Sequence, residues 1–305
     1  MEEKSLVSPL VLVHRPPALD FIDEPLSHSF TLLHTHTSPV PILHFLSSHA
    51  ASVRAVVSVV VCASVGFDHV NLDECKRRGV AVTNAGDAYG EDVADLAVGL
   101  LIGVLRRIPA LDRYIRSGQW TRLWDYPFGF KLNKKKVGIV GLGSIGSLVA
   151  KRLEPFGCII SYNSRSLKPD VPYLYHTDIL SLAADNAVLI LCCSLNDETH
   201  HIVNREVMET LGKNGVIINI GRGELIDENE MVKCLMEGVI WGVGLDVFEN
   251  EPEVPKEFFS LENVVLSPHS AGMTAESLDN ITEVVLTNLK AFFLDQPLIF
   301  PVQLD

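Results

Sequence analysis

The sequence predicts an α/β protein of two Rossmann-like, doubly wound parallel-sheet domains, one of them discontinuous and flavodoxin-like. Three observations predict it. Short β-branched runs alternate with helix-length segments along most of the chain, the pattern of stacked βαβ units. A glycine run, Gly141–Gly143–Gly146, stands between one such strand and the helix that follows. The length of 305 residues is about that of two ordinary domains, with no repeat or low-complexity linker between them.

Taken in order, Val53–Val61 and Gly79–Ala85 read as strands of a first unit. Glu91–Arg107 reads as a long helix, with acids in its first turn and arginines in its last, as the helix dipole favours. After a tryptophan-containing loop a second series begins: strand Lys135–Val140, helix Ser144–Phe156, strand Cys158–Tyr162. Strands at Ala187–Cys193, Val216–Ile220, Ile240–Val247 and Asn263–Pro268 continue it. A last helix, Ala275 to Leu294, then precedes "QPLIFPV" and is expected to return to the first unit. The expected division is a substrate-binding domain at 1–100 and 285–305 and a dinucleotide-binding domain at 101–284.

Composition excludes several classes. Hydrophobic residues make up 47% and charged residues 21%, which is ample for a core and unlike a disordered chain. The longest apolar stretches, such as Leu96–Leu105, fall short of the ~20 residues of a membrane span. A net charge of −13 argues against nucleic acid, which selects basic surfaces. The six cysteines have no CxxC or zinc-like spacing and lie mostly in apolar runs, as free thiols do in a reducing compartment. The first residues are acidic and then strand-like, unlike a signal peptide. A cytoplasmic protein without a metal is the expectation.

The run Gly141, Leu142, Gly143, Ser144, Ile145, Gly146 has the form of a dinucleotide loop. Its first glycine allows a tight turn, its second lets backbone approach a pyrophosphate, and its third lets helix and strand pack closely. An acid that would accept from a ribose 2′-hydroxyl normally follows about 20 residues on. Here Ser164, Arg165 and Ser166 stand instead, a guanidinium between two hydroxyls, which suits a 2′-phosphate. NADP(H) is therefore the expected cofactor, with NAD(H) weaker. The plainer alternative for Arg165 is a solvated loop charge.

Three later segments place polar groups just past apolar strands, where ligands bind in open α/β sheets. They carry Arg222, then Asp246 and Glu251, then His269. Carbonyl reduction by a nicotinamide needs a cation for the substrate carboxylate, an acid for the developing alkoxide, and a group that keeps the acid charged and aimed. Arginine suits the first, histidine the second and a carboxylate the third. Singly, each has a duller reading: a structural histidine, a loop glutamate, a capping arginine.

The segments "ASVGFDHVNLDECKRRGVAVTN", "EDVADLAVGLLIGVLRRI", "VGIVGLGSIG", "NIGRGELIDE", "GLDVFENEP" and "SPHSAGMT", in this order, resemble the D-isomer-specific 2-hydroxyacid dehydrogenase family over nearly the whole chain. "VTNAGDAYGEDVADLAVG" and "DVFENEPEVP" are most similar to plant-type glyoxylate/hydroxypyruvate and hydroxyphenylpyruvate reductases. The resemblance implies Arg222 as carboxylate and carbonyl clamp, Glu251 as orienting acid and His269 as proton donor. It implies that backbone N–H groups of Ser64, Val65 and Gly66 bind the substrate carboxylate. It also implies that Asp246 holds the nicotinamide carboxamide and that Ile220 and Gly221 flank the ring. Trp120 and Trp124 fall in what resembles the family's dimerisation loop, so a homodimer is implied.

Three departures are visible: Ser194 and Gly86 where relatives usually have proline, and Asn71 for a frequent Asp. The implied activity is NADPH-dependent reduction of a small 2-oxoacid, hydroxypyruvate or glyoxylate. 4-Hydroxyphenylpyruvate stays open as substrate, and a non-catalytic, cofactor-sensing adaptor stays open as a different class.

Overall fold

The computed structural model describes residues 10–13, 17–34, 59–67, 70–122 and 125–304. The expected strand Val53–Val61 is described only from Val59, and Trp124 lies outside the described residues. The chain divides into two compact units, residues 1–89 with 275–305, and residues 90–274.

The first unit holds two parallel strand pairs. β1 (Leu10–Val13) pairs with β2 (Thr31–His34), and β3 (Val59–Val61) with β4 (Ala81–Thr83). Helix α1 (Asp23–Ser27) lies between the first two strands and α2 (Leu72–Arg78) between the second two. Asn71 proves to be the N-cap of α2, accepting from the Glu74 N–H at 2.9 Å, a task its amide performs as well as an aspartate would.

The C-terminal part of the chain completes this unit. Helix α9 (Ala275–Phe293) buries Ile281, Val285 and Leu289 in one cluster with Ile22, Leu26, Phe30 and Ala85. Beyond it, Pro301 bridges to Thr83, and the Val302 N–H donates to the Val82 carbonyl at 2.8 Å. The final segment therefore adds to β4 of the second pair. The phenyl ring of Phe300 lies 2.4 Å from where a Cβ on Gly86 would stand, and Gly86 has φ of +55°. Proline, locked near φ −65°, cannot occupy that position, which accounts for the departure seen in the sequence.

The second unit is built on one parallel seven-stranded sheet. Its strands are β5 (Lys136–Val140), β6 (Ile159–Asn163), β7 (Leu174–His176), β8 (Val188–Leu191), β9 (Val216–Asn219), β10 (Gly242–Leu245) and β11 (Val264–Leu266), in the order β11-β10-β9-β8-β5-β6-β7. The order reverses between β5 and β8, so the switch point where such sheets bind ligands lies at the end of β5. β8 and β9 are buried on both faces, as their unbroken apolar runs require.

Helix α3 (Gly90–Leu105) packs over β9, β10 and β11 and beside α5 (Ser144–Leu153). Arg152 of α5 forms ion pairs with Glu91 and Asp95 of α3. For this reason α3 belongs wholly to the second unit, whereas the sequence expectation divided the chain at residue 100. Likewise all of α9 packs on the first unit, from Ala275 rather than from 285.

The arginines expected in the last turn of α3 lie beyond it. Helix α3 stops at Leu105, and Arg107 takes the left-handed conformation (φ 55°) that starts α4 (Ile108–Arg116), with Pro109 in its first turn. Proline removes the N–H that a continuing helix needs, but suits a new N-terminus. Helices α6 (Ile179–Asp185), α7 (Arg205–Leu211) and α8 (Glu228–Glu237) fill the remaining crossovers. Each begins at a side-chain cap, Asp178, Asn204 and Asp227 respectively.

Candidate active site

The glycine loop follows the C-terminal end of β5. Gly141 has φ of +90°, and a Cβ there would stand 2.6 Å from the backbone nitrogen of Cys193. A Cβ at Gly146 would stand 2.1 Å from the Gly141 carbonyl oxygen, so any side chain would drive α5 off the strand. At Gly143, by contrast, a Cβ would meet no protein atom within 4 Å. Protein packing therefore does not call for the middle glycine, whereas close approach of a pyrophosphate to the backbone does. Gly143 is also the N-cap of α5 and offers no side-chain cap to that helix's first N–H groups, the arrangement that receives phosphate elsewhere.

At the end of β6, Ser164 Oγ donates to the Ser166 carbonyl at 2.7 Å, and Tyr175 Oη donates to the Ser164 carbonyl at 3.2 Å. The loop is thus held by its serine and by the next strand. Arg165, between the serines, is exposed and makes no hydrogen bond or ion pair with any described residue. Donor chemistry at this position fits a 2′-phosphate, and no carboxylate of the loop opposes it.

Across β8, the thiols of Cys192 and Cys193 are both pushed up by burial, Cys193 to about 11. Cys193 lies against Gly141 at the floor of the loop. Ser194, where proline was expected, is tied down differently: its carbonyl accepts from Thr199 Oγ1 at 2.8 Å, within a turn that Asn196 caps.

Three neighbouring strands deliver the chemistry. Arg222 lies three residues past β9, His269 three past β11, and Asp246 directly past β10. Asn219, 1% exposed at the end of β9, donates to the Arg222 carbonyl at 2.8 Å and accepts from the Gly221 N–H at 3.1 Å. It shapes the turn that presents Arg222, whose Nη1 donates to the Gly221 carbonyl at 2.8 Å. Ile220 is buried beneath this turn.

His269 Nδ1 lies 2.7 Å from Glu251 Oε2, and the other oxygen of Glu251 accepts from the Phe248 N–H at 3.0 Å. A carboxylate fixed at one oxygen by backbone thus fixes the imidazole with the other. The ring is half exposed, its side chain at 50%.

Asp246 does something the sequence did not suggest. Its Oδ1 accepts from the Ser270 N–H at 2.9 Å and its Oδ2 from the Ala271 N–H at 3.0 Å, while its carbonyl accepts from the His269 N–H at 2.7 Å. This single buried residue clamps three successive amides. The clamp holds His269 at φ +50°, a conformation that costs a non-glycine residue energy and persists only when surroundings enforce it.

Ser64, Val65 and Gly66 lie in the first unit, in the loop after β3. Ser64 Oγ donates to the Gly66 carbonyl at 2.7 Å. Asn84 Nδ2 donates to the Val65 carbonyl at 3.0 Å, and Tyr89 Oη to the Ala63 carbonyl at 2.9 Å. Asn84 and Tyr89 were missed as loop supports, because nothing local in the sequence links them to residues about 20 positions earlier.

Residues 98–271 match the family model "D-isomer specific 2-hydroxyacid dehydrogenase, NAD binding domain". A protein of Arabidopsis thaliana called glyoxylate/hydroxypyruvate reductase is 61% identical, covering 97% of this chain and 98% of its own. A hydroxyphenylpyruvate reductase of Plectranthus scutellarioides is 44% identical over 94% of this chain and 96% of its own. The crystal structure of an NADPH-dependent glyoxylate/hydroxypyruvate reductase from Sinorhizobium meliloti, in complex with NADP and malonate, superposes with a TM-score of 0.88 at 33% identity. That match covers 97% of each chain. By the glycine loop, the histidine–glutamate pair and these matches, the chain belongs to the D-isomer-specific 2-hydroxyacid dehydrogenase family.

Proposed function

We infer that the protein reduces small 2-oxoacids, hydroxypyruvate and glyoxylate, to the corresponding 2-hydroxyacids with NADPH. The observation that carries the chemistry is the 2.7 Å pair of His269 and Glu251, which leaves Nε2 of the ring to serve as donor. Gly141–Gly146, with Ser164, Arg165 and Ser166, would hold the cofactor, and Ile220 and Gly221 would flank its ring. When bound there, the reduced nicotinamide would supply the hydride for C2 of the substrate. Arg222 binds the substrate carboxylate and polarises the carbonyl. His269 passes its Nε2 proton to the carbonyl oxygen, and Glu251 stabilises the imidazolium until that transfer. The Asp246 carboxylate has lone pairs left after its two backbone bonds, and one of these is proposed for the carboxamide.

The small-substrate reading draws on the relatives. The 61% identical protein is named for glyoxylate and hydroxypyruvate, and the one named for the aromatic oxoacid is 44% identical. Initial rates, crossing NADPH and NADH with hydroxypyruvate, glyoxylate and 4-hydroxyphenylpyruvate, test it. Fast turnover is expected with NADPH and the two small acids. Preference for the aromatic acid would replace the substrate and keep the chemistry. Tight cofactor binding with no turnover on any of the three would favour an adaptor.

A homodimer is the proposed assembly. Ile115 and Trp120 are about half exposed and line a cavity of 180 Å³ with Leu111, Tyr114 and Tyr126, and Phe128 nearby is 78% exposed. Apolar exposure of this kind marks association surfaces. Sedimentation equilibrium should return twice the chain mass, and a monomer at micromolar concentration overturns the assignment. The cytoplasm is the proposed compartment, since all six cysteines are free thiols, as in a reducing environment. A fluorescent fusion found inside an organelle would displace it.

A further inference from the structure

His200, His201 and Glu249 form a cluster that the reduction does not use. Nε2 of His201 lies 2.8 Å from Oε1 of Glu249, and the His200 and His201 rings stack with centroids 4.0 Å apart. One ligand atom from each of the three lies within 4.8 Å of the other two. Side chains of consecutive residues ordinarily diverge. Here they lie together because His201 takes φ of +51°, a left-handed conformation uncommon outside glycine. Its N–H donates to the Glu224 carbonyl at 2.8 Å, which fixes that conformation in place.

Glu249 is held from the other side. Its N–H donates to the carboxylate of Glu228 at 3.3 Å. Glu228 is buried, and burial raises its carboxyl above the ordinary range. Among the described residues, no lysine or arginine pairs with His200, His201 or Glu249.

We propose that these three residues bind one divalent ion of the zinc type, through two imidazole nitrogens and one carboxylate oxygen, with water in the fourth position. The donor set suits borderline ions. Ligands at ~2.1 Å around a tetrahedral ion stand roughly 3.4 Å apart, a spacing bracketed by the 2.8 Å contact and the 4.8 Å limit found here. His200 is exposed and can rotate to close the set, and its exposure provides the entry path. The ion staples the segment that follows β8 to the turn that follows β10, two residues before Glu251.

Cobalt(II) titration of the full chain tests the site, since a four-coordinate cobalt centre absorbs strongly in the visible range. One equivalent per chain is expected, displaced by Zn²⁺ and abolished in His200→Ala and in Glu249→Gln. His200 lies at the surface, so His200→Ala leaves the core intact. Zn²⁺ should raise Tm in the parent chain and not in His200→Ala, because a ligand stabilises the state that binds it. The His269→Ala chain should keep the cobalt spectrum. A parent chain showing neither the spectrum nor the Tm shift overturns the proposal. So does a spectrum that survives His200→Ala or vanishes in His269→Ala, which would put the ion on the His269–Glu251 pair.

Discussion

Replacing His269 with alanine lowers kcat for oxoacid reduction by about 10²–10⁴-fold while NADPH binds as before, the ordinary worth of a positioned general acid. The size of the loss follows from the geometry. The ring is held at one nitrogen by Glu251 and needs no reorganisation to present the other. The substitution should not unfold the loop, because the backbone amides of His269, Ser270 and Ala271 stay bonded to Asp246 without the imidazole. His269→Asn is a useful second variant, since asparagine tolerates positive φ better than most residues. Single-turnover kinetics with fluorescence titration of NADPH separates the outcomes. Unchanged turnover would remove His269 from the mechanism, and a parallel loss of NADPH binding would make it a structural residue.

The same loop shows where sequence reading stops. Strands β8 and β9 were legible because a buried parallel strand is a near-continuous apolar run, and the glycine loop because its spacing is fixed by one turn and one helix start. Helix α4 was not legible: Pro109 reads as a breaker, and only the left-handed turn at Arg107 makes it the start of a new helix. Strand β7, with three residues and an exposed leucine, carries too little periodicity to be seen.

At the site, Asp246 and Glu251 are two acids past the same strand; the family resemblance distinguishes their roles, but their spacing alone does not. Burial and partners do. Asp246 is 1% exposed and spends both oxygens on the backbone, while Glu251 reaches the imidazole. Asn219 and Cys193 were likewise invisible as site residues, since their roles arise from approaches between segments far apart in the chain.

Replacing Arg165 with alanine should weaken NADPH binding by about 1.5–3 kcal/mol, roughly ten- to a hundredfold, and leave NADH almost untouched. The magnitude is that of hydrogen bonds to a charged group, and the 2′-phosphate is the only group by which the two cofactors differ. Structure makes the result interpretable. The side chain is exposed and makes no hydrogen bond or ion pair with any described residue, so its removal leaves no buried partner stranded. The loop keeps its shape through Ser164 Oγ on the Ser166 carbonyl and Tyr175 on the Ser164 carbonyl. The lost contact is therefore read directly, and it should shrink as ionic strength rises, because an exposed charge pair is screened. Isothermal titration of both cofactors against parent and variant, at two salt concentrations, is the measurement. Equal losses for NADPH and NADH would assign Arg165 to the pyrophosphate or to the loop. No loss for either would leave cofactor choice to the two serine hydroxyls, and Ser164→Ala and Ser166→Ala would then be expected to carry the discrimination that the arginine did not.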